Sequence, residues 1–150
     1  MRSVRLLSLL VLAASAGLVG CRSSPFTDDA DALSQAEARW RASGIAAYEM
    51  TYRVACFCTP ETSGPWTVRV EDGRVTRISG PTPGAQPPAD PRTVAALFAE
   101  IREARRARAD SVAVTYDPTD GHPVSLRIDR SFRMADEEVA YEVITFTRLR

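Results

Sequence analysis

Two cysteines separated by a single residue carry the strongest candidate chemistry in this sequence. Cys56 and Cys58 flank Phe57, and such a pair can form a disulfide, remain as buried thiols, or take part in metal or redox chemistry. Residues two apart in a flat strand have Cα atoms about 6.5–7 Å apart, which is at the limit of disulfide geometry. A disulfide between the two cysteines therefore requires a kink, which the following Thr59-Pro60 sequence can provide.

The single histidine, His122, is the residue that any histidine-based catalysis has to use. It lies in a Gly-His-Pro turn sequence, and we interpret it as an exposed turn residue. A metal site formed by Cys56, Cys58 and His122 is a weaker alternative, because its ligands come from one strand and a distant turn. Residues 117–121 contain two aspartates but lack the spacing and the closing glutamate of an EF-hand, so we interpret them as a turn.

Other catalytic and cofactor-binding patterns are missing from the sequence. It contains no nucleophile elbow, phosphate loop, dinucleotide fingerprint or zincin motif. All 19 basic residues are arginine, which excludes Schiff-base or lysine-base chemistry. We therefore expect no cofactor and no enzyme activity.

The N-terminus predicts the compartment. Two arginines precede the uncharged apolar run 6–19, which is too short for a membrane-spanning helix and is typical of a secretory signal. The run ends in Leu-Val-Gly before Cys21, a pattern that resembles the bacterial lipobox, in which the cysteine is lipidated and becomes the first residue. We predict a lipoprotein signal peptide over residues 1–20 and a lipidated N-terminus and tether over residues 21–27.

The remaining chain, residues 28–150, has the length of one domain with one core. Loss of the two N-terminal arginines leaves 17 of the 19 basic residues against 19 acidic ones, a balance that argues against nucleic acid as a partner. Because secreted cysteines are usually oxidised, and Cys21 is predicted to be lipidated, Cys56 and Cys58 are the remaining candidates for a structural disulfide.

The longest strand signal of the chain contains both of these cysteines. Alternate residues are apolar or cysteine, which places them on one face of a sheet: Tyr48, Met50, Tyr52, Val54, Cys56 and Cys58. A helix before this strand is predicted to begin after Thr27 as its cap and to use Trp40 as its anchor in the core. After the strand, Asp72-Gly73 predicts a hairpin, with a bulge because Ile78 otherwise faces the wrong way.

A second helix and three strands follow a connector over residues 80–91, which holds five of the ten prolines. We expect this helix to start at Asp90-Pro91 and to bury one apolar face: Val94, Leu97, Phe98, Ile101 and Ala104. The last strand, 139–147, is apolar on both faces, as a bulged or central strand is.

This order of elements predicts an α+β fold. Runs of adjacent hairpins favour an antiparallel sheet of about six strands with two helices packed on one face, in the order αβββαβββ. Each half contains a glycine-turn hairpin and one longer strand, which we interpret as a possible internal duplication.

Several short segments together resemble a family of bacterial secreted proteins and lipoproteins whose defining domain has no assigned function. The resemblance covers nearly all of the mature chain and rests on these residues: Tyr48 and Tyr52 before Cys56-Phe57-Cys58; Val70 to Val75 with Gly73; Thr93-Val94, Leu97-Phe98 and Ile101; Tyr116-Asp117-Pro118 with Gly121 and Pro123; Ile128-Asp129; and Asp136-Glu137-Glu138. The family pattern implies an aromatic residue at position 122, where this chain has histidine. The resemblance implies a fold and an address but no catalytic or binding residues.

Taken together, the sequence favours a membrane-anchored extracytoplasmic lipoprotein that acts by contact, as a non-catalytic binding, scaffold or inhibitor-like module of the cell envelope. Its expected partners are the membrane, through the lipid on Cys21, and another envelope protein. The alternative is a thiol-redox or metal-binding protein that uses Cys56 and Cys58.

Overall fold

The computed structural model describes residues 25–134 and 136–150. The predicted signal peptide, residues 1–20, and the predicted lipidation site Cys21 lie outside the described residues. The elements follow one another in this order: α1 Pro25–Ser43, β1 Ala47–Cys56, α2 Pro60–Ser63, β2 Trp66–Glu71, β3 Arg74–Ser79, α3 Val94–Arg106, β4 Ser111–Tyr116, β5 Pro123–Asp129 and β6 Glu138–Arg148. Among the described residues, no helix has both the length and the apolar character that crossing a membrane requires.

All six strands form one sheet in the order β3-β2-β1-β6-β5-β4, and every neighbouring pair is antiparallel. The prediction of an α+β fold in the order αβββαβββ is confirmed, with the one-turn helix α2 as an addition in the predicted loop after β1. The two long strands β1 and β6 lie side by side at the centre. The first half of the chain runs from the central strand β1 to the edge strand β3, whereas the second half runs from the edge strand β4 to the central strand β6. An internal duplication of the two halves stays a prediction.

The described sheet contains three register shifts, and two of them set which side chains of β3 and β6 face the core. In the β2–β3 hairpin, Val70 pairs with Val75 and Arg69 with Arg77, so Thr76 is the extra residue, as the sequence predicted. In β6, Thr145 is opposite Thr51 and Val143 is opposite Tyr52, which makes Ile144 the extra residue. The bulge explains why β6 is apolar on both faces. The prediction that the last strand is bulged or central is confirmed, since β6 is both.

One face of the sheet forms the core, and α3 covers part of it. The five residues predicted as the buried face of α3 are all buried, and Phe98 stacks on Tyr116 with ring centroids 6.2 Å apart. The helix starts at Val94, with the Thr93 side chain accepting a hydrogen bond from Ala96 N–H. The prediction that α3 starts at Asp90-Pro91 was therefore wrong, because the threonine hydroxyl three residues later supplies the cap.

Two tyrosines of β1 fix the start of α3 above the sheet. The Tyr48 hydroxyl accepts a hydrogen bond from Val94 N–H at 3.0 Å, and the Tyr52 hydroxyl accepts one from Arg92 N–H at 3.1 Å. The first N–H groups of a helix have no partner within it, so Tyr48 satisfies one of them. Burial raises the pKa of both tyrosines, which keeps their hydroxyl groups neutral.

Helix α1 packs beside α3 and over one end of the sheet. It begins at Pro25, so Thr27, the predicted cap, lies within the helix. Glu37 forms an ion pair with Arg102 of α3. Trp40 is half-buried against the core, as predicted, and its ring meets those of Tyr48 and Phe146 edge to face.

The buried face of α3 gives a direct test of this packing. Phe98 is 4% exposed, so Phe98→Ala should lower the free energy of unfolding by about 3–5 kcal/mol. Glu103→Ala on the exposed side of the same helix is the control and should change it by about 0.5 kcal/mol or less. Denaturant unfolding of both variants measures the difference, and equal midpoints would show that α3 faces the sheet with another side.

Candidate functional site

The turn between β4 and β5 is closed by the carboxylate of Asp117. Its Oδ1 accepts hydrogen bonds from the N–H groups of Thr119 at 2.8 Å and Asp120 at 3.0 Å. Asp117 N–H also donates to the carbonyl of His122 at 2.8 Å. Residues 117–121 therefore form a turn, as the sequence predicted, and Asp117 serves as its internal acceptor.

Gly121 lets this turn lie directly against α1. Its φ is +83°, and a Cβ at this position would meet the carbonyl oxygen of Ala36 at 2.2 Å. A side chain would therefore both strain the backbone and separate the turn from the helix. The close approach brings the following residue, His122, next to Trp40.

His122 is buried, with 5% of its surface exposed, so the prediction of an exposed turn residue was wrong. Its ring stacks on Phe146 with centroids 4.2 Å apart and meets the edge of Trp40. Nδ1 lies 2.5 Å from Oδ1 of Asp120, which also accepts a hydrogen bond from His122 N–H at 3.1 Å. The other oxygen of Asp120 accepts one from Arg148 at 3.2 Å.

These bonds shift the pKa of Asp120. Burial alone raises the pKa of a carboxyl group, but the hydrogen bonds from the His122 ring and backbone, with that from Arg148, favour the charged form and hold the pKa below its ordinary value. Asp120 is therefore a buried carboxylate that its neighbours stabilise in the ionised state.

Candidate metal ligands do meet in this turn. Asp117, Asp120 and His122 each offer a ligand atom, and these atoms lie within 4.8 Å of one another beside a cavity of about 350 Å³. Both Asp120 oxygens and Oδ1 of Asp117 already accept hydrogen bonds, so an ion has to displace several of them. The geometry favours a self-contained hydrogen-bonded turn in which His122 packs as an aromatic ring.

Cys56 and Cys58 are joined by a disulfide, with Cα atoms 5.2 Å apart. This distance is shorter than a flat strand allows, because β1 ends at Cys56 and the chain turns towards α2. The weaker metal alternative, Cys56 and Cys58 with His122, is not assembled. The ring that stacks on His122 belongs to Phe146, which pairs with Met50, six residues or about 20 Å along β1 from Cys56.

The face of the sheet opposite the core carries a groove of about 500 Å³ across β1, β6, β5 and β4. Small side chains from three of these strands form its floor: Ala55, Ala113 and Ala140. A second depression of about 320 Å³ shares Ala55, Ala140 and Arg127 with it and extends it to Phe57. The groove exists because the open face has small residues where the core face has aromatic and branched ones.

Charged residues and one aromatic ring border this groove. Arg53, Arg127 and Glu142 line it, and none of them belongs to an ion pair within 4.0 Å in the described part of the chain. Phe57, at the end of the groove, is 89% exposed. The disulfide joins the residues immediately before and after Phe57, so the exposed ring projects from a short covalent loop.

Sequence reasoning found the cysteines but missed the groove and the burial of His122. The groove depends on which strands become neighbours in the sheet. The alternation of apolar and polar residues along one strand does not show which strand lies beside it. The position of His122 had one usable signal, the aromatic residue that the family resemblance implies there, since the buried ring occupies the place of an aromatic side chain.

The Asp120 cluster makes stability depend on pH in a defined direction. Because its pKa is lower in the folded than in the unfolded chain, Asp120 contributes stability that is present above about pH 4 and is lost as the pH falls through the folded value. Asp120→Asn should lower stability at pH 7 by about 1–3 kcal/mol and flatten this acid limb. Urea unfolding from pH 7 to pH 2 measures it, with Asp136→Asn, on an exposed loop, as the control. An acid limb as steep in Asp120→Asn as in the original chain would contradict this assignment.

No curated protein and no solved structure shows significant similarity to the chain. The sequence pattern of one protein family matches residues 32–148, which include every strand of the sheet and α3. The chain therefore belongs to DUF6174, a family of unknown function.

Proposed function

We propose that this chain is a membrane-anchored extracytoplasmic lipoprotein that acts as a non-catalytic contact module of the cell envelope and binds a protein through the open face of its sheet. The sequence supports the anchor through the apolar run 6–19 and the lipobox-like residues before Cys21. The structure supports the mode of action through the groove and Phe57.

The exposed ring of Phe57 is the observation that carries the proposal. A phenylalanine that is 89% exposed contributes little burial of apolar surface to the stability of the free protein. Buried aromatic anchors, by contrast, dominate the energetics of protein interfaces. The Cys56–Cys58 loop limits the motion of this residue before binding, which lowers the conformational entropy lost when a partner covers it. The adjoining floor of alanines leaves room for side chains of the partner.

A binding role also fits the chemistry of the groove better than catalysis does. Ser125 and Thr115 are the aliphatic hydroxyl groups of its lining, and no histidine is among the described residues there to activate either one. The alternative role in thiol-redox chemistry stays a prediction, and the exposed position of Cys58 is the observation that favours it.

Site-specific photocrosslinking in intact cells tests the binding face. A photoreactive residue at Ala55, which is exposed in the groove, should give discrete crosslinked products, and Phe57→Ala in the same chain should reduce them about tenfold or more. The matched control is the same residue at Ala99, exposed on α3. Equal product patterns at Ala55 and Ala99 would refute binding through the open face.

Fractionation tests the anchor separately. Acyl chains on Cys21 contribute about 0.8 kcal/mol per buried methylene, so two or more chains hold the protein in the membrane fraction. Cys21→Ser should release it to the soluble fraction with an unchanged melting temperature, because the core residues in the described part of the chain all lie after residue 32. A Cys21→Ser protein that stays with the membranes after a carbonate wash would contradict lipidation at this residue.

A further inference from the structure

The three most exposed large apolar residues of the described chain lie at one end of the sheet. This end, the Cys56 end, is where β1 and β5 finish and β4 and β6 begin. Phe132 and Met134 lie in the loop between β5 and β6, 72% and 48% exposed, and Phe57 follows β1. Phe57 borders the groove of the open face, so the apolar side chains of the loop are the two that the proposed function does not use.

Hydrogen bonds within the chain hold this loop in a defined shape. Phe132 N–H donates to Oδ2 of Asp110, in the turn between α3 and β4, at 2.8 Å. Ser131 N–H donates to Oδ1 of Asp129 at 3.0 Å, and the Ser131 carbonyl accepts from Met134 N–H at 2.9 Å. The backbone of the loop therefore has its partners inside the protein, while the two apolar side chains point outward.

Helix α1 runs towards the same end of the sheet. Near its last turn, Trp40 packs on Tyr48 at the start of β1, which is the opposite end. One turn earlier, Glu37 pairs with Arg102 in the second half of α3, the helix that leads to β4. The 19 residues of α1 span about 28 Å and the ten of β1 about 33 Å. The start of α1 at Pro25 therefore reaches the Cys56 end.

The predicted lipid anchor is consequently close to the loop. Residues 22–24 separate Cys21 from Pro25, and an extended chain of this length reaches about 14 Å at most. A lipid on Cys21 thus holds the start of α1 near the bilayer, with the Cys56 end at the same level. The Asp72-Gly73 hairpin lies at the other end, about 33 Å away along β1. The bilayer is therefore the surface that the apolar loop can reach.

We infer that Phe132 and Met134 enter the surface of the bilayer that holds the anchor, so that the Cys56 end is the membrane-facing end of the domain. Apolar side chains at such an interface lie at the boundary between headgroups and acyl chains. In this orientation β1 points at the bilayer, and the open face stands upright beside it and stays accessible to a partner. The inference rests on the proposed function, since it requires the lipid on Cys21.

Charges of both signs are exposed at this end of the domain. Arg108 and Arg133 carry one sign, and Asp136 and Glu138 carry the other. Because a zwitterionic phospholipid headgroup also carries one charge of each sign, neutral lipid is sufficient for the contact. The two apolar side chains are smaller than one acyl chain, which alone binds a membrane only marginally. The lipid therefore anchors the domain, and the loop orients it.

Quenching by brominated lipid tests this orientation in the full-length chain, extracted from membranes and reconstituted into phosphatidylcholine vesicles with or without bromine on the acyl chains. A ring buried about 5–10 Å into the interface contacts the bromines, so the indole of Phe132→Trp should lose about half of its emission or more. Val75→Trp is the matched control, because Val75 is exposed next to the hairpin at the opposite end, and its indole should lose none. The original chain, with Trp40 and Trp66 in or against the core, gives the background emission to subtract.

A second variant and two further measurements keep the outcomes distinct. Met134→Trp should be quenched as Phe132→Trp is, and circular dichroism melting shows that each variant folds. Equal quenching at positions 132 and 75 would overturn the orientation. Flotation of the vesicles reports the anchor: a chain that floats but shows no quenching at 132 and 134 overturns the inference and leaves the lipid anchor standing. A chain that does not float overturns both.

Discussion

The architecture depends on hydrogen bonds between two tyrosines of the central strand and the backbone that precedes α3. Tyr48 and Tyr52 project from β1 on the core face, and their hydroxyls accept the N–H groups of Val94 and Arg92. These bonds fix a segment that has left the sheet after β3 and has no strand partner of its own. Without them, the N–H groups of Arg92 and of Val94, the first residue of α3, lose their partners, at a cost of about 1–3 kcal/mol for each buried group. The helix that covers β4 and β5 is therefore placed by side chains of β1, across the middle of the sheet.

Because α3 is held on one side of the sheet, that side becomes the core face and the opposite side stays open. On the core face, rings fill the space between the helices and the strands, where Trp40 and Phe146 contact each other and each contacts both Tyr48 and His122. The opposite face has alanine, serine and threonine at the positions where the core face has its largest residues. A central pair of long strands with small residues on its free side leaves a groove between flanking charges. Neither helix covers this groove, because α3 and α1 both pack on the core face.

The sequence predicted those features that depend on neighbours along the chain. Alternation in β1, the five apolar residues of α3 and the position of Val70 opposite Val75 each follow from local periodicity or turn geometry. The features that were missed depend on contacts between distant segments. Alternation does not reveal that β6 returns beside β1, and without that pairing the groove has no floor. The start of α3 was placed three residues early because proline is common in a first turn, whereas the Thr93 hydroxyl determined the boundary. His122 was expected to be exposed because its neighbours are turn residues, and the contact between Gly121 and α1 that buries it is tertiary.

The Cys56–Cys58 disulfide has a smaller effect on global stability than on the local backbone around Phe57. A ring closed by residues two apart restricts little of the unfolded chain, so its contribution to global stability falls at the low end of the usual range of about 2–4 kcal/mol. The same ring acts more strongly on Phe57, whose backbone it holds at the end of β1 beside the alanine floor. A segment whose backbone is already restrained loses less conformational entropy when a partner covers it. On the proposed function, the cysteines therefore contribute less to the core than to holding the backbone of one exposed aromatic residue in place for a partner.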